Sequence, residues 1–236
     1  MRMKNSHLQQ FIILLMIIMP TCMYAQQAIT DWPNLARYRD ENAKLGLPSA
    51  NEKRVVFMGN SITEGWGEIN PGFFAGRPFV NRGISGQTTP QMLIRFRPDV
   101  IDLKPKVVVI LAGINDIAGN TGPSTLGMIE ANIASMAELA KAHGIKVVLC
   151  SVLPAFDFPW NPGVFPSAKI SALNEWIKLY AAENGFYYLD FYSAMADESK
   201  ALKAEYTADG VHPDAAGYKV MEPLTEKAIS EVLLRN

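Results

Sequence analysis

Short apolar runs alternate with longer amphipathic segments along most of the chain. The apolar runs are rich in β-branched residues and several end in glycine loops, which is typical of strands buried on both faces of a parallel sheet. They lie at 55–58, 79–80, 107–112, 146–153 and 186–189. The intervening pattern predicts helices at 31–45, from 88 or 89 onward, and at 124–142, 167–184 and 214–234. This alternation predicts an α/β fold with a mainly parallel central sheet covered by helices.

The first 25 residues have a different character from the rest of the chain. Arg2 and Lys4 precede an unbroken apolar run, 11–19, which is too short to span a bilayer comfortably. Small residues follow up to Ala25, after which cleavage is expected. Residues 1–25 are therefore predicted to be a secretory signal peptide.

A lipoprotein signal that uses Cys22 ranks second, because Thr21 is a poor match for the small residue that such signals carry before the cysteine. The mature protein is expected to be secreted or periplasmic, without a stable membrane span. Residues 27–236 show no repeat, linker or low-complexity tract, and they are predicted to form one domain.

Composition narrows the function classes. Of the 236 residues, 49% are hydrophobic and 19% are charged, and the formal net charge is −1. This balance offers no basic stripe, so nucleic acid is not an expected partner. Removing the signal peptide leaves Cys150 alone in an apolar run, where a buried thiol is expected and no internal disulfide can form. No Cys/His cluster has metal-ligand spacing, so neither a metal nor a cofactor is predicted, and the oligomeric state is left open.

Polar residues cluster in four loops, and three of these loops follow predicted strands. The loops are 59–61, 84–86, 113–116 and 209–213. The first and third follow strands directly, the second follows the short strand, and the fourth precedes the last helix. Because the carboxyl ends of parallel strands meet at one edge of the sheet, the four loops can meet over one crevice.

A serine, a histidine and an aspartate in these loops suit acyl transfer. Ser61 alone fits a helix cap equally well, since a serine hydroxyl becomes a nucleophile only beside a base. Of the three histidines, His7 lies in the signal peptide and His143 sits at a helix end, which leaves His212 as the candidate base. Asp209 precedes His212 by three residues, a spacing that places a carboxylate beside the imidazole across a turn.

An oxyanion formed on the attacked carbonyl needs hydrogen-bond donors placed in advance. The candidates are the backbone N–H of Ser61, the backbone N–H of Gly86 and the side-chain amide of Asn115. Each of these residues also fits an ordinary turn or cap when considered alone. Their joint occurrence, in this order and at these strand ends, favours the catalytic interpretation.

These loops resemble the conserved blocks of the SGNH (GDSL-type) serine hydrolases. The matching segments are Gly59-Asn60-Ser61-Ile62-Thr63, 81–89, Gly113-Ile114-Asn115-Asp116 and 209–213. The resemblance implies Ser61 as nucleophile, Asp209 and His212 as its triad partners, Gly86 and Asn115 as further oxyanion donors, and no metal. It also implies a three-layer α/β/α sandwich of the flavodoxin-like type. The GxSxG elbow of α/β-hydrolases is absent. Asn60 replaces the usual aspartate of the first block, which is not the triad acid.

Aromatic residues beside these loops suggest the substrate. The loop 154–166 carries four aromatic residues, and the connection 66–74 carries three more. Substrate contacts are predicted at Asn60, Trp66, Arg82 and Trp160. The favoured hypothesis is a secreted acetylesterase acting on carbohydrate, with a polysaccharide or small-molecule ester as partner. A lysophospholipase or short-chain lipid esterase and a non-catalytic carbohydrate-binding protein remain as alternatives.

Overall fold

The computed structural model describes residues 31–235, so the predicted signal peptide lies outside the described residues. The strands are β1 (Val55–Gly59), β2 (Phe79–Gly83), β3 (Val107–Leu111), β4 (Lys146–Cys150) and β5 (Tyr187–Leu189). The α-helices are α1 (Arg39–Leu45), α2 (Ser61–Ile69), α3 (Thr89–Asp99), α4 (Ile114–Ile117), α5 (Leu126–Ala142), α6 (Ser167–Asn184), α7 (Tyr192–Met195) and α8 (Ala215–Leu234). Short 3-10 helices occupy Pro71–Phe73, Ile101–Leu103 and Ala204–Tyr206.

The five strands form one sheet in the order β2-β1-β3-β4-β5, and every pairing is parallel. This is the strand order of flavodoxin-like folds, so the predicted fold class is confirmed. All residues of β1 and β3 are buried, as their continuous apolar sequences predict for central parallel strands. From β1 the chain first adds β2 on one side of the sheet and then adds β3, β4 and β5 on the other side. Folds of this type bind ligands in the crevice at this switch point, between β1 and β3.

Helices cover both faces of the sheet. The crossover connections between parallel strands are right-handed. The connection from β1 to β2, which contains α2, crosses the sheet in one direction, and the later connections, which contain α3, α5 and α6, cross it in the opposite direction. Helix α2 therefore lies on one face of the sheet, and α3, α5 and α6 lie on the other. The closing helix α8 lies on the same face as α2, because the Tyr218 hydroxyl donates to the Ile62 carbonyl oxygen at 2.8 Å. Within residues 31–235, no helix combines the length and the apolar content that crossing a membrane requires.

Several boundaries differ from the sequence-based predictions. The predicted 31–45 helix is regular only from Arg39, because the Asp31 carboxylate accepts the N–H groups of Leu35 and Ala36 and forms a separate turn. Helix α5 begins at Leu126 rather than Ser124, since the Thr125 hydroxyl caps it.

The loops near the sheet edge are also more regular than predicted. β2 continues to Gly83, whose N–H donates to the Asn81 side chain at 2.9 Å while the strand pairs with β1. Helix α2 extends into the predicted 66–74 connection as far as Ile69, and residues 114–117 form the short helix α4. β4 ends at Cys150, three residues before the end of the predicted run 146–153. The Cys150 side chain is buried, and this burial raises the pKa of its thiol.

The end of β2 lies in close contact with α2. A Cβ atom built on Gly83 would lie 2.1 Å from the Glu64 backbone nitrogen and 2.7 Å from the Glu64 Cα. Only a residue without a side chain allows the two backbones to approach so closely. The same Gly83 accepts a hydrogen bond on its carbonyl oxygen from the buried Tyr38 hydroxyl. This glycine therefore fixes the distance between the second strand and the helix that begins at Ser61.

We expect Gly83→Ala to lower the free energy of unfolding by at least about 2 kcal/mol, because the added methyl group meets backbone that cannot move aside. Gly72→Ala is the matched control, since a Cβ there would meet no heavy atom within 4 Å. It should change stability by less than about 0.5 kcal/mol. Urea denaturation followed by circular dichroism measures both, and equal stability of the two variants would contradict this account of Gly83.

Candidate active site

The carboxyl ends of β1, β2 and β3 lie at one level of the sheet. Gly59, the last residue of β1, pairs in register with Gly83 of β2 and with Leu111 of β3. Each strand is followed within a few residues by a polar loop. The loops carry Ser61, Gly86 and Asn115. The register of the parallel strands thus brings together the residues that the sequence predicts for the nucleophile and the oxyanion donors.

The turn after β1 leaves the Ser61 hydroxyl free of any capping role. Asn60 is the N-cap of α2, and its Oδ1 atom accepts the N–H of Ile62 at 3.2 Å. A Cβ on Gly59 would lie 1.9 Å from the Thr63 Oγ1 atom, so the strand must end in glycine to turn this tightly into the helix. The alternative interpretation of Ser61 as the cap is therefore wrong. The Asn60 side chain is buried and its Oδ1 atom serves this cap, so the substrate contact predicted at Asn60 stays a prediction.

Ser61, His212 and Asp209 form a continuous chain of contacts. The Ser61 Oγ atom lies 2.9 Å from His212 Nε2, and His212 Nδ1 lies 2.6 Å from Asp209 Oδ2. The His212 and Asp209 side chains are partly exposed, so the chain of contacts opens to solvent. This arrangement allows the imidazole to accept the serine proton while the carboxylate holds the opposite ring nitrogen. Among residues 31–235, no three His, Cys, Asp or Glu side chains converge as a metal-binding group.

The turn 207–213 holds the carboxylate and the imidazole in one geometry. The Asp209 Oδ1 atom accepts the N–H groups of Val211 at 2.9 Å and His212 at 2.7 Å. The Thr207 hydroxyl donates to the His212 carbonyl oxygen at 2.7 Å and accepts the Gly210 N–H at 3.0 Å. Partial burial acts to raise the pKa of Asp209, but the His212 N–H and the imidazole outweigh it and hold that pKa below its usual value.

The three predicted oxyanion donors have N–H groups available. The Ser61 N–H lies in the first turn of α2, where helix geometry provides no intrahelical acceptor. Asn115 is buried and uses one amide hydrogen on the Gln87 carbonyl oxygen at 2.9 Å, so its second hydrogen remains for a ligand. Gly86 has φ +76°, a left-handed conformation that glycine adopts without strain.

A fully buried arginine ties these loops together. From α3, Arg95 donates to the Gly59 carbonyl oxygen at 2.9 Å and to Gln87 Oε1 at 2.5 Å. Its third partner is the Asp99 carboxylate at 3.0 Å. Burial lowers the pKa of Arg95, and the Asp99 charge opposes that shift. Because Gln87 in turn accepts from Asn115, the guanidinium links the strand end before Ser61 to the loop that holds the Asn115 amide.

Asp116, beside Asn115, has a supporting role in the structure. Its carboxylate accepts the Thr89 N–H at 3.0 Å and the Thr89 hydroxyl at 2.6 Å, which caps the first turn of α3. Asn132 of α5 donates to the same hydroxyl at 3.0 Å. Burial raises the pKa of Asp116, and the Thr89 hydrogen bonds oppose that rise. The Gly-x-Asn-Asp segment thus places a structural carboxylate directly after the Asn115 amide.

Two of the predicted substrate contacts are wrong. Trp66 is buried and stacks on Phe73, with ring centroids 4.7 Å apart, and on Tyr218 at 5.6 Å. Arg82 is also buried, and its Nε donates to Asn42 Oδ1 at 2.9 Å. Both side chains pack inside the protein because α2 and β2 turn them away from the crevice.

Trp160 lies beside the candidate site. Its ring centroid is 5.8 Å from that of His212, the two planes are tilted by 41°, and the residue is 44% exposed. The buried Phe158 supports it, with ring centroids 5.2 Å apart. The loop is held from within by the Asp157 carboxylate, which accepts the N–H groups of Gly163 at 2.6 Å and Val164 at 3.1 Å. Of the four residues predicted to contact substrate, only Trp160 presents an exposed ring next to the imidazole.

Three residues of the site belong to none of the sequence-based predictions. Gln87 and Thr207 are ordinary loop residues by sequence, and nothing marks their hydrogen-bonding roles. Arg95 had a detectable signal, because it lies with Asp99 at i, i+4 spacing on the side of α3 that carries the apolar Met92 and Phe96. A charged pair on the core side of a helix indicates a buried ionic contact.

Comparisons with known proteins agree with this geometry. Residues 57–220 match the family model described as GDSL-like Lipase/Acylhydrolase family. The chain is 52% identical to a provisionally assigned acylhydrolase from Bacteroides fragilis, with a TM-score of 0.85 over 86% of this chain and 99% of the other. It is also 52% identical to a GDSL-like lipase from Bacteroides thetaiotaomicron, with a TM-score of 0.83 over 84% and 98%.

A curated relative carries a more specific name. An acetylxylan esterase from Xylanibacter ruminicola is 29% identical over 222 residues, which cover 78% of this chain and 45% of the esterase. The chain thus spans less than half the length of that relative.

The lowered pKa of Asp209 leads to a pH-dependent prediction. The charged carboxylate stabilises the native state above the ordinary aspartate pKa of about 3.9, and this contribution disappears as the pH falls through the lower native pKa. Asp209→Asn cannot titrate. The difference in unfolding free energy between wild type and variant should therefore shrink as the pH falls below about 4. Urea titrations at each pH measure it, and a difference that grows on acidification would contradict the assignment.

Proposed function

Because the chain belongs to the GDSL-like Lipase/Acylhydrolase family and is a carboxylic ester hydrolase, we propose that Ser61, His212 and Asp209 are its catalytic triad. The observation that carries the proposal is the 2.9 Å contact between Ser61 Oγ and His212 Nε2, continued at 2.6 Å to Asp209. An imidazole at hydrogen-bond distance is the base that a serine hydroxyl needs in order to attack an ester.

The reaction follows from these contacts. His212 Nε2 takes the proton from Ser61 as its oxygen bonds to the ester carbon, and Asp209 stabilises the imidazolium that forms. The tetrahedral intermediate collapses when the imidazolium gives its proton to the departing alkoxide, which leaves as the alcohol. Water then attacks the acyl-serine with His212 again as the base, and the acid and the free Ser61 are released.

The developing oxyanion is the second requirement. The N–H groups of Ser61 and Gly86 and the second amide hydrogen of Asn115 are the proposed donors. Loss of one such donor costs on the order of 3 kcal/mol in other serine hydrolases. Arg95 supports two parts of this arrangement, because it binds the carbonyl oxygen of Gly59 and the side chain of Gln87.

For the substrate, we propose O-acetyl groups on carbohydrate. The acetylxylan esterase relative supports this choice, and so does the exposed indole of Trp160 beside His212. Aromatic rings bind the apolar faces of flat, amphipathic ligands, and a sugar ring presents such a face. We further propose that the protein is exported by the signal peptide predicted at residues 1–25, which would give it access to extracellular polysaccharide.

We expect Ser61→Ala and His212→Ala to reduce turnover of p-nitrophenyl acetate by more than about 10³-fold, because each removes a member of a unit that acts together. Ser61→Ala should also abolish labelling by a fluorophosphonate probe. Ser49→Ala, which changes an exposed serine on the segment before β1, is the control and should retain both properties. Full activity in Ser61→Ala would exclude the proposed nucleophile, and an inactive, unlabelled wild type would favour the carbohydrate-binding alternative.

The substrate proposal predicts a preference among esters. The wild-type protein should release acetate from acetylated xylooligosaccharides with a higher kcat/KM than it hydrolyses long-chain lipid esters. Trp160→Ala should raise the KM for the oligosaccharide about tenfold, because a stacked aromatic contact of roughly 1.4 kcal/mol is removed. The control is Trp32→Ala, an exposed tryptophan on the N-terminal segment. Preference for the lipid esters would instead support the lysophospholipase alternative.

A further inference from the structure

Asn120 lies in the turn that follows α4, and it makes three hydrogen bonds to residues of the candidate site. Its backbone N–H donates to the Asn115 carbonyl oxygen at 3.0 Å. Its Nδ2 atom donates to the Gly86 carbonyl oxygen at 3.3 Å. Its Oδ1 atom accepts the indole N–H of Trp160 at 3.0 Å. One exposed side chain therefore contacts the loop of the proposed donor Gly86 and the proposed sugar-facing ring, while its backbone binds a second of the three proposed donors, Asn115.

The orientation of the Asn120 amide follows from the chemistry of its partners. An indole N–H can only donate, so the atom facing Trp160 must be the amide oxygen. The NH₂ group then necessarily faces Gly86, whose carbonyl oxygen can only accept. Reversing the amide would place donor against donor and acceptor against acceptor. The two contacts therefore require the same orientation of the amide, and each helps to hold that orientation for the other.

The backbone around Trp160 has a separate attachment. Asn161 Nδ2 donates to the Ala118 carbonyl oxygen at 2.9 Å, which fixes the 154–166 loop against the turn after α4. The Asn120 contact is thus not needed to hold the loop in place. It instead restrains rotation of the indole, because it holds the one polar atom on that ring. A restrained ring loses less side-chain entropy when a ligand stacks on it.

The Gly86 loop depends on polar contacts, because glycine has no side chain to pack. On one side, the Glu64 carboxylate accepts the Ser85 N–H at 2.8 Å and the Ser85 hydroxyl at 2.5 Å. On the other side, Asn120 binds the Gly86 carbonyl oxygen. The peptide that carries the proposed Gly86 donor is thus held between a carboxylate from α2 and an amide from the turn after α4.

We propose that Asn120 is a positioning residue that couples the sugar-facing Trp160 to the oxyanion loop at Gly86. This role rests on the proposed function of both partners. A carbohydrate that stacks on Trp160 holds the indole N–H in line with Asn120 Oδ1, and the amide is then held against the Gly86 carbonyl oxygen. Binding of the sugar, remote from the ester bond, thereby contributes to turnover as well as to affinity.

Three variants separate the two contacts. Asn120→Asp keeps an acceptor for the indole but replaces the donor to Gly86 with a charged oxygen. It should lower kcat for acetylated xylooligosaccharide about tenfold and change KM less than twofold, a smaller loss than removal of an oxyanion donor itself. Trp160→Phe keeps a ring but removes the N–H, so it should raise KM and, because the ring no longer acts on Gly86 through Asn120, also lower kcat by less than Asn120→Asp does. Asn120→Ala loses both contacts and should show both effects. Asn51→Ala, another exposed asparagine, is the control.

Two further measurements test the proposed coupling between Asn120 and Trp160. If Asn120 acts through Trp160 on KM, the double variant Asn120→Ala/Trp160→Phe should raise KM no more than the larger single effect. The ¹⁵N–¹H resonance of the Trp160 indole, assigned by its loss in Trp160→Phe, should shift in Asn120→Ala and stay in place in Asn51→Ala. This resonance reports the contact independently of activity.

The outcomes distinguish this role from others. Wild-type kcat and KM in both Asn120 variants, with normal Ser61 labelling, would overturn the positioning role and leave the proposed function intact. An unmoved indole resonance together with a lower Tm and equal loss of activity on all esters would also overturn it, since Asn120 would then be only structural. A wild type that is neither active nor labelled at Ser61 would refute the proposed function and this role with it.

Discussion

The site depends on the register of three parallel strands. Gly59, Gly83 and Leu111 are paired across β2, β1 and β3, so the loops that follow them emerge side by side at the crevice. Glycine at the first two of these positions permits the tight turn into α2 and the close approach of α2 to β2. A one-residue slip of either pairing would move its loop and turn every side chain of the slipped strand to the opposite face of the sheet. The hydrophobic sequences of the strands therefore determine where the serine, the glycine and the asparagine lie.

A buried ion pair reinforces this register at a cost in desolvation. Arg95 and Asp99 are almost wholly inaccessible, and a charge pair of this kind does not by itself guarantee stability. Its other contacts explain what it contributes here. The guanidinium binds the Gly59 carbonyl oxygen just before the nucleophile turn and the side chain of Gln87. A rigid group with several donors thus holds the turn before Ser61 and the loop of Gln87 together.

Much of the fold and site was predictable from sequence because the relevant signals are local. Continuous β-branched runs identified the central strands, and the i, i+3 spacing of Asp209 and His212 matches their 2.6 Å contact. Trp66 and Arg82 were misassigned because sequence does not reveal which side of a helix or strand faces the crevice. Asn120 left no signal, since its importance comes from partners 34 and 40 residues away. Residues that act through long-range polar contacts require coordinates.

The central claim is that the Ser61 hydroxyl, activated by His212, becomes covalently acylated. The most direct test is rapid mixing of the protein with p-nitrophenyl acetate, acid quenching within the first turnover, and mass spectrometry of the proteolytic peptides. The account predicts an acetyl group on Ser61 that appears in the wild type and is absent from Ser61→Ala. Acetate release without any acetylated Ser61, or acetylation at another side chain on the catalytic pathway, would contradict it.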